Sequence, residues 1–114
     1  MAERLCHCFS VDLGGETPVF SVSSERDGDR LRVVVTGEVD MATADAMLQS
    51  ALREPAGHVL LDLRAVTFFD SAAIHAVVRL AERFPDRLDV LPSRQVGRVL
   101  EISGLGDQKW LRPL

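Results

Sequence analysis

The sequence predicts an α/β domain with a mixed sheet of four to five strands and about three helices, in the order β-β-α-β-α-β-α-β. Three observations carry that expectation. Strand-forming runs alternate along the chain with apolar residues at helical spacing, which implies crossover connections and a mainly parallel sheet. Turn chemistry at Arg26-Asp27-Gly28-Asp29 joins the first two strand patterns as a hairpin, so one edge of the sheet is antiparallel. The 114 residues are of single-domain size and contain no internal repeat.

Taken in order, residues 1–16 are mixed in composition and broken at Gly14-Gly15, and are expected to form a loose leader to a domain over 17–114. Val19–Ser24 reads as a first strand with Phe20 and Val22 on one face. The β-branched run Leu31–Thr36 reads as a second, ended by Gly37. Ala44, Met47, Leu48, Ala51 and Leu52 form one helical stripe, with Asp40 as the expected N-cap and Pro55-Ala56-Gly57 as the stop. His58–Leu63 reads as a buried strand. A second stripe follows in Ile74, Val77, Val78, Ala81 and Phe84, halted by Pro85-Asp86. Leu88–Leu91 is a further strand, and Val96, Val99 and Leu100 mark a short helix ending at Ser103-Gly104. Lys109–Leu111 is expected to add a last short strand. The crossovers should be right-handed, and three helices should cover one face of the sheet more fully than the other.

Composition narrows the function classes. The net charge of −4 argues against a nucleic-acid binder working through a broad basic patch. Five Phe, one Trp and no Tyr leave few platforms for stacking bases. No uninterrupted apolar run exceeds three residues, whereas a membrane helix needs about 20, so neither a membrane span nor a secretory h-region is expected. The two cysteines lie together in Cys6-His7-Cys8 and cannot staple distant parts of a fold. They point to a reducing, cytoplasmic setting. A metal reading of that segment would need ligands from a second cluster, and only His58 and His75 remain as further histidines. No metal and no cofactor is expected.

The junction Val66–Ile74 is the most informative stretch. Two phenylalanines lead into Asp70-Ser71, and a helix start rich in small residues follows. Asp and Ser are preferred helix caps, so an N-cap accounts for them without any function. A serine in that position also lies beside free N–H groups and the positive end of the helix dipole, where phosphate is well accommodated. Ala72 and Ala73 are expected to leave the first turn sterically open to a kinase or a flat partner surface.

Three segments in this order resemble the STAS domain of bacterial anti-sigma factor antagonists. They are a strand followed by Gly37-Glu38-Val39-Asp40, then Leu61-Asp62-Leu63 with Phe69-Asp70-Ser71, then Val99-Leu100-Glu101-Ile102-Ser103-Gly104-Leu105. The resemblance covers roughly residues 17–112. It implies a non-enzymatic antagonist whose Ser71 is the phosphoacceptor of a partner anti-sigma factor, an ATP-dependent serine kinase. The unmodified form binds that partner, the phosphorylated form does not, and a PP2C-type phosphatase resets it. Asp70 and Asp40 match the family's aspartates before the acceptor and at the first helix. Ala72 and Ala73 replace the second Ser or Thr and the Gly that often follow the acceptor, and His75 stands where a small glycine is common. His75 admits two readings, a solvated residue and a partner contact. The family's usual C-terminal helix has no counterpart before Leu114.

Other classes fit less well. A serine hydrolase needs a G-x-S-x-G elbow, and Asp70-Ser71-Ala72 has no flanking glycine, although His75 lies one turn from Ser71. A receiver domain would use an aspartate such as Asp62 with an acidic cluster for a metal, and no acidic pair follows an early strand. The nearer rival shares the fold. It is an unphosphorylated STAS-type scaffold or accessory subunit of a signalling or transport assembly, with Ser71 only a cap.

Overall fold

The β-branched run Val33-Val34-Val35 lies in the middle strand of the sheet, where its stiff side chains pack on both neighbours. The computed structural model describes residues 6–11, 19–53 and 55–113. Three strands come first: β1 (Cys6–Val11), β2 (Phe20–Asp27) and β3 (Arg30–Val39). They are followed by α1 (Ala44–Leu52), β4 (His58–Phe69), α2 (Ser71–Arg83), β5 (Leu88–Pro92) and α3 (Arg94–Ile102). The five strands form one sheet in the order β1-β2-β3-β4-β5. β2 is antiparallel to both β1 and β3, and β3, β4 and β5 are parallel. This is the mixed α/β architecture that the alternation predicts.

Two expectations are corrected at the ends of the chain. Within the stretch read as a loose leader, Cys6–Val11 pairs along its whole length with β2, from Cys6 opposite Glu25 to Val11 opposite Phe20. The outer edge of β2 offers backbone donors and acceptors that this segment satisfies. Residues 1–5 and 12–16 lie outside the described residues. The strand expected at Lys109–Leu111 is reduced to one bridge between Val90 and Leu111. It is held by Val90 N–H to Trp110 O at 2.8 Å and Arg112 N–H to Val90 O at 2.9 Å. The observed order is therefore β-β-β-α-β-α-β-α, with the additional strand at the front.

The helices and the sheet enclose one core. α1 packs on α2 and over β2 and β3, and α3 lies over β4 and β5. Phe20, Val22, Val33, Val35, Leu61, Leu63 and Val90 fill the space beneath them and are buried. The opposite face carries Arg32, Val34, Thr36, Leu60 and Leu91, which are exposed or half-buried. This is the one-sided coverage expected of three helices. On this open face Asp62 is deeply covered, at 5% exposure, beneath Arg32 and Arg64.

β4 is longer than the expected strand over 58–63 and continues to Phe69. Its inward residues change spacing on the way, from Val59, Leu61 and Leu63 to Val66 and Phe69. A period of two becomes a period of three because the register against β3 slips twice, once between Val34 and Thr36 and once between Gly37 and Glu38. Gly37 stands at the second slip with φ of 89°. There the Val19 carbonyl accepts the Glu38 N–H at 2.8 Å, and a Cβ at Gly37 would overlap that carbonyl oxygen. Gly37→Ala should therefore lower the unfolding free energy by about 1–3 kcal/mol, the scale of one forced backbone conformation. Urea denaturation measures this, and unchanged stability would mean that the Val19 approach is not constraining.

The buried carboxylate gives a second expectation. The hydrogen-bonded Arg64 guanidinium, with Arg32 beside it, holds the Asp62 carboxyl at about 2, below its ordinary 3.8, although burial acts in the other direction. In the unfolded chain the group regains the ordinary value. Its stabilising contribution is complete above about pH 4 and is lost as the pH falls through about 2. Across that window the wild-type protein should lose stability more steeply than Asp62→Asn. Equal slopes in urea titrations from low to mildly acidic pH would contradict the ion-pair account.

Candidate functional site

Parallel pairing makes β3 and β4 end together, with Val39 opposite Phe69. Adjacent strands lie about 4.8 Å apart, so the next residue of each strand, Asp40 and Asp70, emerges beside the other. The Asp70 N–H continues the ladder by donating to Val39 O at 3.2 Å. Sequence-distant aspartates are thus brought to one place at the C-terminal edge of the sheet, where open α/β sheets usually place their sites.

Asp70 is the N-cap of α2, as expected. Its backbone is extended (φ −102°, ψ −171°), and its carboxylate accepts the Ala73 N–H at 3.1 Å. The first helical bond runs from Ile74 N–H to Asp70 O at 3.0 Å. The amides of Ser71 and Ala72 precede that bond and point out at the positive end of the helix. Ser71 is the first helical residue and is exposed, and its hydroxyl has no hydrogen-bond partner among the described residues. His75 is exposed one turn further on, on the same side of α2 as Ser71.

Asp40 does not cap α1. Helical structure starts at Ala44 with Thr43 as N-cap, and the Thr43 side chain accepts no cap bond within the helix. Asp40 instead closes the turn leading into it. Asp40 Oδ1 accepts from Ala42 N–H at 2.9 Å and Thr43 N–H at 3.2 Å, while Thr43 Oγ1 accepts the Asp40 N–H at 2.9 Å. The reciprocal pair is a capping box placed one turn early. It pins Asp40, half-buried, beside the end of β4.

The two alanines separate. Ala72 is half-buried next to Ser71, whereas Ala73 has no exposed surface and faces the core. Ala73 therefore offers a partner nothing but room, and its N–H already belongs to Asp70. The expectation that both alanines open the first turn is corrected for Ala73. The helical stripe through Ala73, Ala76, Val77 and Leu80 buries it.

The structure adds two residues that sequence reasoning passes over. Met41 is 82% exposed in the turn after Asp40, and Phe68 is 48% exposed opposite Glu38. Phe68 and Phe69 look equivalent in the sequence, but the second slip of β4 sends Phe69 into the core at 4% exposure and Phe68 outward. The three-residue spacing of Leu63, Val66 and Phe69 is the available signal. Met41 and Phe68, together with exposed Glu38, give an edge that is acidic and apolar near the exposed Ser71 hydroxyl.

No hydrogen bond joins His75 to Ser71 among the described residues. Asp62, the residue a receiver domain would use, has its carboxylate occupied by the Arg32 and Arg64 guanidiniums. Among the described residues no group of three or more His, Cys, Asp or Glu side chains could hold a metal ion. The side chains of Cys6 and Cys8 lie outside that description. No helix among the described residues is long and apolar enough to cross a membrane.

A sequence-family model described as Mlab, STAS domain matches residues 22–113. The chain is similar in structure to an anti-sigma factor antagonist from Mycobacterium paratuberculosis, with a TM-score of 0.70 and 24% identity over 83% of this chain and 86% of that one. It is also similar to the anti-sigma factor antagonist SpoIIAA in its unphosphorylated form, with a TM-score of 0.65 and 19% identity over 80% and 85% of the two chains. A STAS domain antagonist from Rhodobacter sphaeroides matches with a TM-score of 0.53 and 19% identity over 68% and 91%. At these identities the likeness is one of fold. No curated protein matches the chain.

The cap at Asp70 is the local energetic consequence of this arrangement. Asp70→Ala should cost about 0.5–2 kcal/mol of stability, and Asp70→Asn or Asp70→Ser should recover most of it. Thermal unfolding of the three variants checks this, and equal losses in all three would mean that the Ala73 bond is not the source.

Proposed function

The chain belongs to the STAS domain family, matched over residues 22–113, and on that premise we propose that it is an anti-sigma factor antagonist switched by phosphorylation of Ser71. The observation that carries the reading is the exposed Ser71 hydroxyl at an open helix N-terminus, flanked by Asp40 and Asp70 and by the apolar Met41 and Phe68. The unmodified edge docks a partner anti-sigma factor, an ATP-dependent serine kinase in the cytoplasm. Met41 and Phe68 supply apolar area there, and Glu38, Asp40 and Asp70 match basic groups on the partner. His75 extends the same surface, and Ala72 gives the kinase room at the acceptor.

Phosphate on Ser71 adds about −1.5 to −2 charges beside those carboxylates. Like-charge juxtaposition across an interface costs several kcal/mol, enough to release a partner without refolding the domain. A PP2C-type phosphatase restores the docking form. The domain itself contributes no catalysis in this scheme and only presents its serine.

One observation favours a second reading, an unphosphorylated scaffold or accessory subunit of a signalling or transport assembly. Asp70 and Asp40 each hold backbone amides of their own turns through Oδ1 without any phosphate. In that case α2 would be a constant docking surface and Ser71 a simple first-turn residue.

Paired baits separate the two. Ser71→Ala should capture the partner as the wild-type chain does, and Ser71→Glu should bind it about tenfold more weakly, a difference of about 1.4 kcal/mol. Incubation of the wild-type chain with the captured partner and ATP should place one phosphate on Ser71 by mass spectrometry. Capture without labelling, and with equal affinity for both baits, would sink the switch and leave the scaffold.

A further inference from the structure

β4 uses 12 residues, His58–Phe69, to run beside the 10 of β3, Arg30–Val39. The surplus enters at two bulges. Val34 and Thr36 face Asp62 and Ala65, so β4 advances by one residue more than β3, and Gly37 and Glu38 face Val66 and Phe68, where it does so again. A bulge re-aims the rest of its strand, and bulges are common next to functional sites.

Each bulge is tied by a covered polar group. At the first, Asp62 accepts four hydrogen bonds. Its Oδ1 takes Arg64 N–H at 3.1 Å and Arg64 Nε at 3.0 Å, and its Oδ2 takes Arg64 Nη2 at 2.8 Å and Arg32 Nη2 at 3.0 Å. Three of these come from Arg64, two residues on, so the carboxylate holds the bulged loop by its backbone and by its side chain together. Arg32 ties the same carboxylate to β3. At the second, Ser93 Oγ–H donates to Val66 O at 2.7 Å while the same oxygen accepts Val96 N–H at 3.1 Å. Ser93 is 7% exposed and caps α3.

The register consequence is specific. Without the first bulge Val39 would face Phe68 rather than Phe69, and Asp70 and Ser71 would move one residue, about 3.3 Å, past the end of β3. Ala65 would then replace Val66 toward the core. We propose that the Arg32–Asp62–Arg64 clamp is the positioning device for Ser71, fixing where β4 delivers Asp70 and Ser71 beside Asp40. Its relevance to switching rests on the reading of Ser71 as the modified residue. Its geometry does not, so the two can fail separately.

Asp62→Asn tests it, because a carboxamide keeps the shape but turns an NH2 toward a guanidinium donor. The full chain is labelled with 15N, and its backbone amides are compared by NMR at a temperature where circular dichroism shows the variant folded. The expected result is a continuous run of shifted amides from Arg64 through Ala73, with those of Val59–Leu61 and α1 in place. Amide hydrogen exchange over 64–73 should rise at least tenfold relative to β2. Arg32→Ala, which leaves the two-oxygen Arg64 contact intact, should move the same amides less. Shifts confined to residues 61–65, with Asp70 and Ala73 unmoved, would overturn the proposal even if stability falls. If Asp62→Asn does not fold, Arg64→Ala is read by the same criterion. No kinase or phosphate enters the measurement, so failure of Ser71 to accept phosphate leaves the result readable.

Discussion

The parallel pairing of β3 with β4 is the constraint on which the site depends. Parallel neighbours share a direction, so their C-terminal ends meet at one edge and their exit turns meet as well. Asp40 continues one strand and Asp70 the other, and Val39 opposite Phe69 fixes how far each reaches. An antiparallel β4 would place Asp70 and Ser71 at the other end of β3, roughly 30 Å away by strand length at about 3.3 Å per residue. The crossover through α1 that parallel pairing requires packs over β2 and β3, on a core in which Val33, Val35, Leu61 and Leu63 are buried.

One-sided coverage leaves the other face to polar groups, and that division gives Asp62 its place. A carboxylate on a sheet face in the centre of a domain is costly unless it is paired and hydrogen-bonded. Here both oxygens are taken by guanidiniums whose far sides remain in water, with side-chain exposures of 50% for Arg32 and 61% for Arg64. The arrangement keeps Asp62 ionised while its partners stay solvated, so four hydrogen bonds offset the desolvation of the one covered carboxylate. A hydrophobic residue at that position would cover the sheet equally well, but it would leave the extra residue of β4 without an acceptor for the Arg64 amide.

Most of the architecture is legible in the sequence because its signals are local. Strand runs, helical stripes and the Asp27-Gly28 turn each declare themselves within a few residues, and Asp70 before small residues announces a cap. The misses have one physical root, which is that long-range pairing overrides local pattern. Cys6–Val11 is too mixed to read as a strand, and it becomes one because β2 offers an edge. The outer half of β4 breaks the period-two rule, so Leu63, Val66 and Phe69 look irregular until the two bulges are counted. Asp40 reads as the cap of the helix after it, whereas its bonds close the turn before that helix. Met41 and Phe68 show no outward bias in sequence, and their exposure is set by where the bulged strand and the capped turn come to rest.

Electrostatics explain why such an edge suits a reversible modification of the proposed kind. A phosphate at Ser71 would meet two opposing fields. The helix dipole and the amides of Ser71 and Ala72 favour negative charge there. Glu38, Asp40 and Asp70 oppose it, and Asp70 already holds the Ala73 amide that a phosphate oxygen would otherwise take. Because these fields oppose one another, a phosphate would change the stability of the free domain less than either field alone would. The bound state has no such balance. Docking strips water from the edge and strengthens repulsion between an added phosphate and the neighbouring carboxylates. The change in free energy therefore falls on the interface rather than on the fold. That partition would let a domain of 114 residues, with only marginal stability, carry the proposed switch on its surface.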